Sequence, residues 1–153
     1  MSSEFTQIIV NQHIFIALSS CISAQALKVL VDYGRKKKVD KALIFGTGGM
    51  PSSHSALVVA LTASIGITEG VSSALFAISL IFAGVVMYDA AGVRRAAGKH
   101  AEIINDIVES LENIGIKPDE KLKELLGHSP IEVMAGAIWG GFITWLAYSF
   151  IFV

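Results

Sequence analysis

Charge is what this sequence has least of for its length. In 153 residues, Asp, Glu, Lys and Arg together make up 16%, while hydrophobic residues reach 53%. An average soluble domain carries about 25% charged residues, so that class is excluded and the chain reads as one integral membrane domain. The formal net charge of −1 offers a polyanion no counter-charge, which excludes nucleic acid as a partner. There is one cysteine, Cys21, inside an apolar segment, so no disulfide framework can form within the chain. Proline occurs only three times, at Pro51, Pro118 and Pro130, each next to the start of a stretch with helical character. No internal repeat or low-complexity tract is found.

What is abundant is apolar sequence in long runs. A helix crosses a bilayer with about 20 residues, and four segments are read as spans: about 8–30, 55–67, 71–91 and 131–153. The first has Glu4 and no Lys or Arg before it, whereas Arg35, Lys36, Lys37, Lys38 and Lys41 follow it. That is the reverse of a cleaved secretory signal, and the positive-inside rule puts the N-terminus outside and the basic loop in the cytoplasm. The second segment covers only about 20 Å at 1.5 Å per residue, which draws the preceding glycine-rich loop into the membrane interface, with Ala42 to Phe45 as a shielding stub. Thr68, Glu69 and Gly70 form an outer turn. From Ala96 to Ile114 the pattern turns amphipathic, and a second helical piece from Asp119 to Leu126 completes a cytoplasmic insertion over 96–126. The expected architecture is therefore an all-α integral membrane bundle of about four transmembrane helices plus that insertion, with both termini outside the cytoplasmic membrane. Gly84, Gly136, Gly140 and Gly141 suit close helix contact, and self-association into a homo-oligomer is expected from them.

Chemistry-bearing residues gather at a few places along the chain. Gly48-Gly49-Met50-Pro51-Ser52-Ser53-His54-Ser55-Ala56 places glycines, hydroxyls and a histidine at a helix start, where free N–H groups point at an anion; an ordinary N-cap in a Gly/Ser turn explains the same residues equally well. Lys28 and Gln25 lie one turn apart on one helix face. Lys28 either snorkels to the headgroups or joins Gln25 in facing the bundle. Asp89 precedes Arg94 and Arg95, a cluster that is either a polar site or a topogenic end of a span. His128 stands just ahead of a helix opened by Ser129 and Pro130, and Glu132 lies one turn inside it. A carboxylate there orients an imidazole for nucleophilic attack; its alternative role is to balance the helix dipole. By alternation of the spans all these groups reach the cytoplasmic side. Together they suit a phosphate: cations for its charge, helix N-terminal amides for its oxygens, and two histidines for attack and for protonation of the leaving oxygen.

Pro51-Ser52-Ser53-His54 resembles the PSGH block of the type 2 phosphatidic acid phosphatase and vanadium haloperoxidase superfamily, and His128 to Gly136 resembles its later histidine block. Taken in order, GGMPSSHSA, YDAAGVRRAAG and LGHSPIEVMAG are similar to the divergent branch of that superfamily over nearly the whole chain. The resemblance implies His128 as a nucleophile that forms a phosphohistidine, Glu132 as its acidic partner where most members have Asp, and His54 as general acid. It implies phosphate binding by Ser52, Ser53 and neighbouring backbone at Gly49, with Lys28 as candidate for the family's lysine. The usual arginine shortly before the nucleophilic histidine is absent, and Arg94 or Arg95 takes its place in this reading, with Asp89 and Gln25 in support. The expected function is a metal-independent, cofactor-free phosphatase acting on a membrane lipid phosphate or pyrophosphate at the cytoplasmic face. The alternatives are a transporter or lipid-binding module that holds the same anion without cleaving it, and a purely structural helical subunit.

Overall fold

The computed structural model describes residues 11–37, 48–112, 122 and 127–152, leaving aside the side chains of residues 35, 36, 94, 95, 111 and 112. Among them are five helices and no strand: α1 (Gln12–Lys36), α2 (Ser53–Thr68), α3 (Ala74–Ala91), α4 (Val93–Glu112) and α5 (Pro130–Phe150). The first turn is capped from the sequence in four of the five. Asn11 accepts from the N–H groups of His13 and Ile14, Ser52 from Ser55, Ser73 from Phe76 and Ser129 from Glu132, each satisfying an amide that the helix itself leaves unpaired. Gly92, with φ −105° and ψ −84°, separates α3 from α4, so the amphipathic helix begins at Val93 rather than at Ala96. The expected Asp119–Leu126 helix and the Ala42–Phe45 stub lie outside the described residues.

The protein is a membrane helical bundle. Stretches in α1 (Gln12–Gly34), in the α3–α4 run (Ala74–Ser110) and in α5 (Pro130–Phe150) are long and apolar enough to cross a membrane. α2, with 16 residues, rises about 24 Å against a hydrocarbon core of about 30 Å. This short helix is nevertheless the centre of the bundle, packed against α1, α3 and α5. It can be central because its inward residues are small: Ser55, Ala56, Ala60 and Ser64 are all fully buried.

Packing here is inverted relative to a soluble protein. Large apolar side chains such as Ile22, Leu30, Ile78, Ile81, Val85 and Ile138 point outward, while small and polar ones fill the inside. In lipid, apolar burial drives no helix association, so close backbone approach and interhelical hydrogen bonds hold the bundle. Ser20 Oγ donates to the Ala56 carbonyl at 3.2 Å, Thr62 Oγ1 to Ser79 O at 3.1 Å and Thr144 Oγ1 to Ala60 O at 3.3 Å. A Cβ on Gly136 would collide with the Ser52 carbonyl, and one on Gly140 with the Ala56 carbonyl. Two of the glycines assigned from sequence to contact between copies are thus spent within the chain, on the α2–α5 crossing. Gly84 and Gly141 have open space beside them.

Candidate functional site

The start of α2 is fastened to the start of α5 through backbone. Ser52 N–H donates to the Glu132 carbonyl at 3.0 Å, an approach that Gly136 permits by lacking a side chain. Gly49 takes φ +91°, a left-handed conformation open to glycine at little cost. Ser52 is fully buried and fills the capping role: its Oγ accepts from Ser55 N–H at 3.4 Å and from Ser55 Oγ at 3.1 Å. Neither bond uses the hydrogen of its own hydroxyl. Ser53, in the first turn of α2, is also buried. His54 beside it is exposed.

His128 is fixed through its backbone and through its ring. Its N–H donates to the Ala90 carbonyl near the end of α3 at 3.0 Å. Its Nδ1 lies 3.3 Å from Glu132 Oε2, and the same carboxylate oxygen accepts the Ser129 N–H at 2.9 Å. Glu132 therefore closes the capping box of α5 and orients the imidazole with one oxygen; the two roles weighed against each other in the sequence are held together. With a carboxylate on Nδ1, that nitrogen carries the proton and Nε2 presents its lone pair. The side chain is 2% exposed, and burial holds its pKa below the ordinary histidine value. Glu132 pulls the other way, while the charges of Lys28 and His54 act with burial. On balance the neutral imidazole is favoured.

Lys28 is 1% exposed, which removes the snorkelling alternative and turns the side chain into the bundle. The charge of Glu132 acts on it, and it acts on His128. Among the described residues its Nζ nonetheless has no hydrogen-bond partner, and neither does His128 Nε2. An ammonium out of water costs several kcal/mol unless it is paired, and buried donors are seldom left unmet. Lys28 Nζ asks for an anion with oxygen acceptors, and the lone pair of His128 Nε2 for a proton donor or an electrophilic centre.

Of the residues singled out from the sequence, Lys28, Ser52, Ser53, His54, His128 and Glu132 come together. Gln25 is half-buried one turn before Lys28, and Asp89 is half-buried beside Ala90. Arg94 and Arg95 fall in the first turn of α4, four and five residues beyond the carbonyl that holds His128; their side chains lie outside the described residues. Sequence reasoning missed Cys21, whose thiol is in hydrogen-bonding contact with Ser53 and feels the charge of Lys28. The available signal was its spacing of seven residues from Lys28, which puts both on one helix face.

Comparison with known proteins agrees with this picture at the level of family. A family model described as the divergent PAP2 family matches residues 9–143. YuiD of Bacillus subtilis (strain 168), described as an uncharacterized membrane protein, is 41% identical over 156 residues, which cover 94% of this chain and 99% of the relative. No solved structure matches the chain.

Proposed function

This chain belongs to the divergent PAP2 family, and from that premise and the geometry of the site we propose that it is a membrane phosphatase for a lipid phosphate or pyrophosphate. The observation that carries the proposal is a pair of buried atoms with no hydrogen-bond partner among the described residues, the Lys28 Nζ donor and the His128 Nε2 lone pair, beside the capped start of α2. In this reading residues 1–153 act as one phosphatase-like domain whose site faces the cytoplasm. Lys28 and the first-turn amides of α2 hold the phosphoryl oxygens, with Ser52, Ser53, the Gly49 backbone, Arg94 and Arg95 around them and Gln25 and Asp89 in support. His128 Nε2 attacks phosphorus, so that a P–N bond forms as the P–O bond to the lipid breaks. Glu132 stabilises the positive charge that develops on the ring. His54, exposed on the first turn of α2, gives its proton to the departing alkoxide and then takes one from the water that releases inorganic phosphate.

Turnover by the purified full chain in detergent tests the mechanism, with and without chelator. His128→Ala is expected to abolish phosphate release and the acid-labile phosphoenzyme. His54→Ala is expected to cost about 10²-fold on an alkyl phosphate and much less on a nitrophenyl phosphate, whose leaving group hardly needs a proton. Full activity in His128→Ala sinks the phosphatase reading; equal losses by His54→Ala on both substrates sink the division of roles. Tight binding of lipid phosphates without release would instead favour a carrier.

A further inference from the structure

Next in sequence to residues of the site, a groove of about 320 Å³ is lined by α1, the loop before α2 and α5. Its walls are Leu27 and Val31 from α1, Pro51 from the loop, and Ala135, Ile138 and Trp139 from α5. Each wall adjoins a residue of the site: Leu27 precedes Lys28, Pro51 precedes Ser52, and Ala135 is one turn beyond Glu132. Trp139 Nε1 donates to Ser23 Oγ at 3.0 Å, tying α5 to α1. From the level of Ala135 to that of Trp139 the groove spans roughly 6 Å, four residues of helix rise. Ile138 and Met50 are exposed at its rim, so it opens sideways to lipid.

We infer that this groove receives the first few carbons of a hydrocarbon esterified directly to phosphate, making the substrate class prenyl or alkyl phosphates rather than glycerolipid phosphates. The inference rests on the phosphate-binding reading of the neighbouring site. The lining of the groove is predominantly apolar. A glycerolipid places two ester carbonyls within a few bonds of phosphorus, at the depth of this groove. The side chains there offer them nothing: Pro51 has no N–H, the helical residues of α1 and α5 spend theirs within the helices, and the Trp139 N–H is committed to Ser23. Burying an ester carbonyl without a donor is unfavourable, whereas a methylene in the same place has no polar atom to satisfy. Leu27, Val31, Ala135 and Ile138 are aliphatic and select by polarity rather than by branching, so straight and branched chains are both included in the class.

Competition binding to the full chain in detergent decides the matter, with farnesyl phosphate, dodecyl phosphate and dilauroyl phosphatidate as probes and inorganic phosphate as reference. Farnesyl and dodecyl phosphate are expected to bind at least about tenfold tighter than the phosphatidate. Ala135→Phe, which fills the groove, is expected to erase that preference; Ile138→Ala, which removes one wall, is expected to narrow it. Equal affinity for phosphatidate and farnesyl phosphate in the unaltered chain overturns the inference without recourse to any variant, as does an undiminished preference in Ala135→Phe. The parent reading fails separately: the expected binding preference without phosphate release removes the hydrolase and leaves the groove assignment, and release from phosphatidate and farnesyl phosphate with equal kcat/KM does the reverse. If none of the four probes binds, both fall.

Discussion

The bundle carries a histidine cluster at each end, and the two ends are built differently. At the start of α1, His13 Nδ1 meets Ser64 Oγ at 2.7 Å, and Ser64 Oγ meets Tyr148 OH at 3.0 Å, so α1, α2 and α5 are joined by a chain of bonded polar groups. At the other end the same three helices present Lys28, Ser53 and Glu132, next to His128, yet Lys28 Nζ and His128 Nε2 have no hydrogen-bond partner among the described residues. The residue types overlap; the completeness of bonding does not. A satisfied polar network inside a bundle ties helices together, and an unsatisfied one stores a cost that a ligand relieves. The histidine at the His13 end is therefore a clamp, and the end bearing Lys28 and His128 is where a site is expected.

The sharpest way to break this comparison is Lys28→Met. If the ammonium is there for a ligand, its loss lowers kcat/KM on lipid phosphates by about 10²–10³-fold, while the apolar replacement leaves the thermal midpoint in detergent unchanged or higher, since an unpaired buried charge has been removed. A fall in both would mean that Lys28 is structural.

Glu132→Gln sharpens the account of His128. Glutamine keeps the capping box but removes the charge that favours the imidazolium, so His128, already held below its ordinary pKa by burial, becomes harder still to protonate. Attack needs the neutral ring. The acidic limb of the pH–rate profile is therefore expected to move to lower pH even as the plateau rate drops, and a shift to higher pH would refute the assignment.

Tyr148→Phe carries the smallest expected effect. It removes one interhelical bond at the clamp, worth about 0.6 kcal/mol in membrane bundles. The thermal midpoint should fall slightly and activity should stay within about twofold of the unaltered chain. A loss comparable with that of Lys28→Met would erase the distinction between the two ends.

The ends also differ in how much of them could be read in advance. His128 and Glu132 are four residues apart, and the glycine-serine loop is continuous, so local spacing exposes both. Cys21 joins the site only because α1 lies against Ser53, and the clamp pairs residues 51 and 84 positions apart. No periodicity within one helix predicts such pairs. The glycines mislead for the same reason: Gly136 and Gly140 have the spacing of a contact surface, and which partner uses it is settled by the carbonyls of Ser52 and Ala56 rather than by the spacing itself.

By itself the sequence determined what one-dimensional patterns control. Scarce charge and long apolar runs require a membrane bundle, because only helices satisfy their own backbone in lipid. Serines and an asparagine ahead of those runs set the helix starts, and ordered motifs identify the family. The tertiary structure alone decided that the shortest helix is central, that Lys28 points inward, and that Glu132 serves the cap and the imidazole at once. Those outcomes depend on which faces meet, and in a bundle held by close backbone contact the meeting faces are chosen by Gly136, Gly140 and the small residues of α2 acting across space.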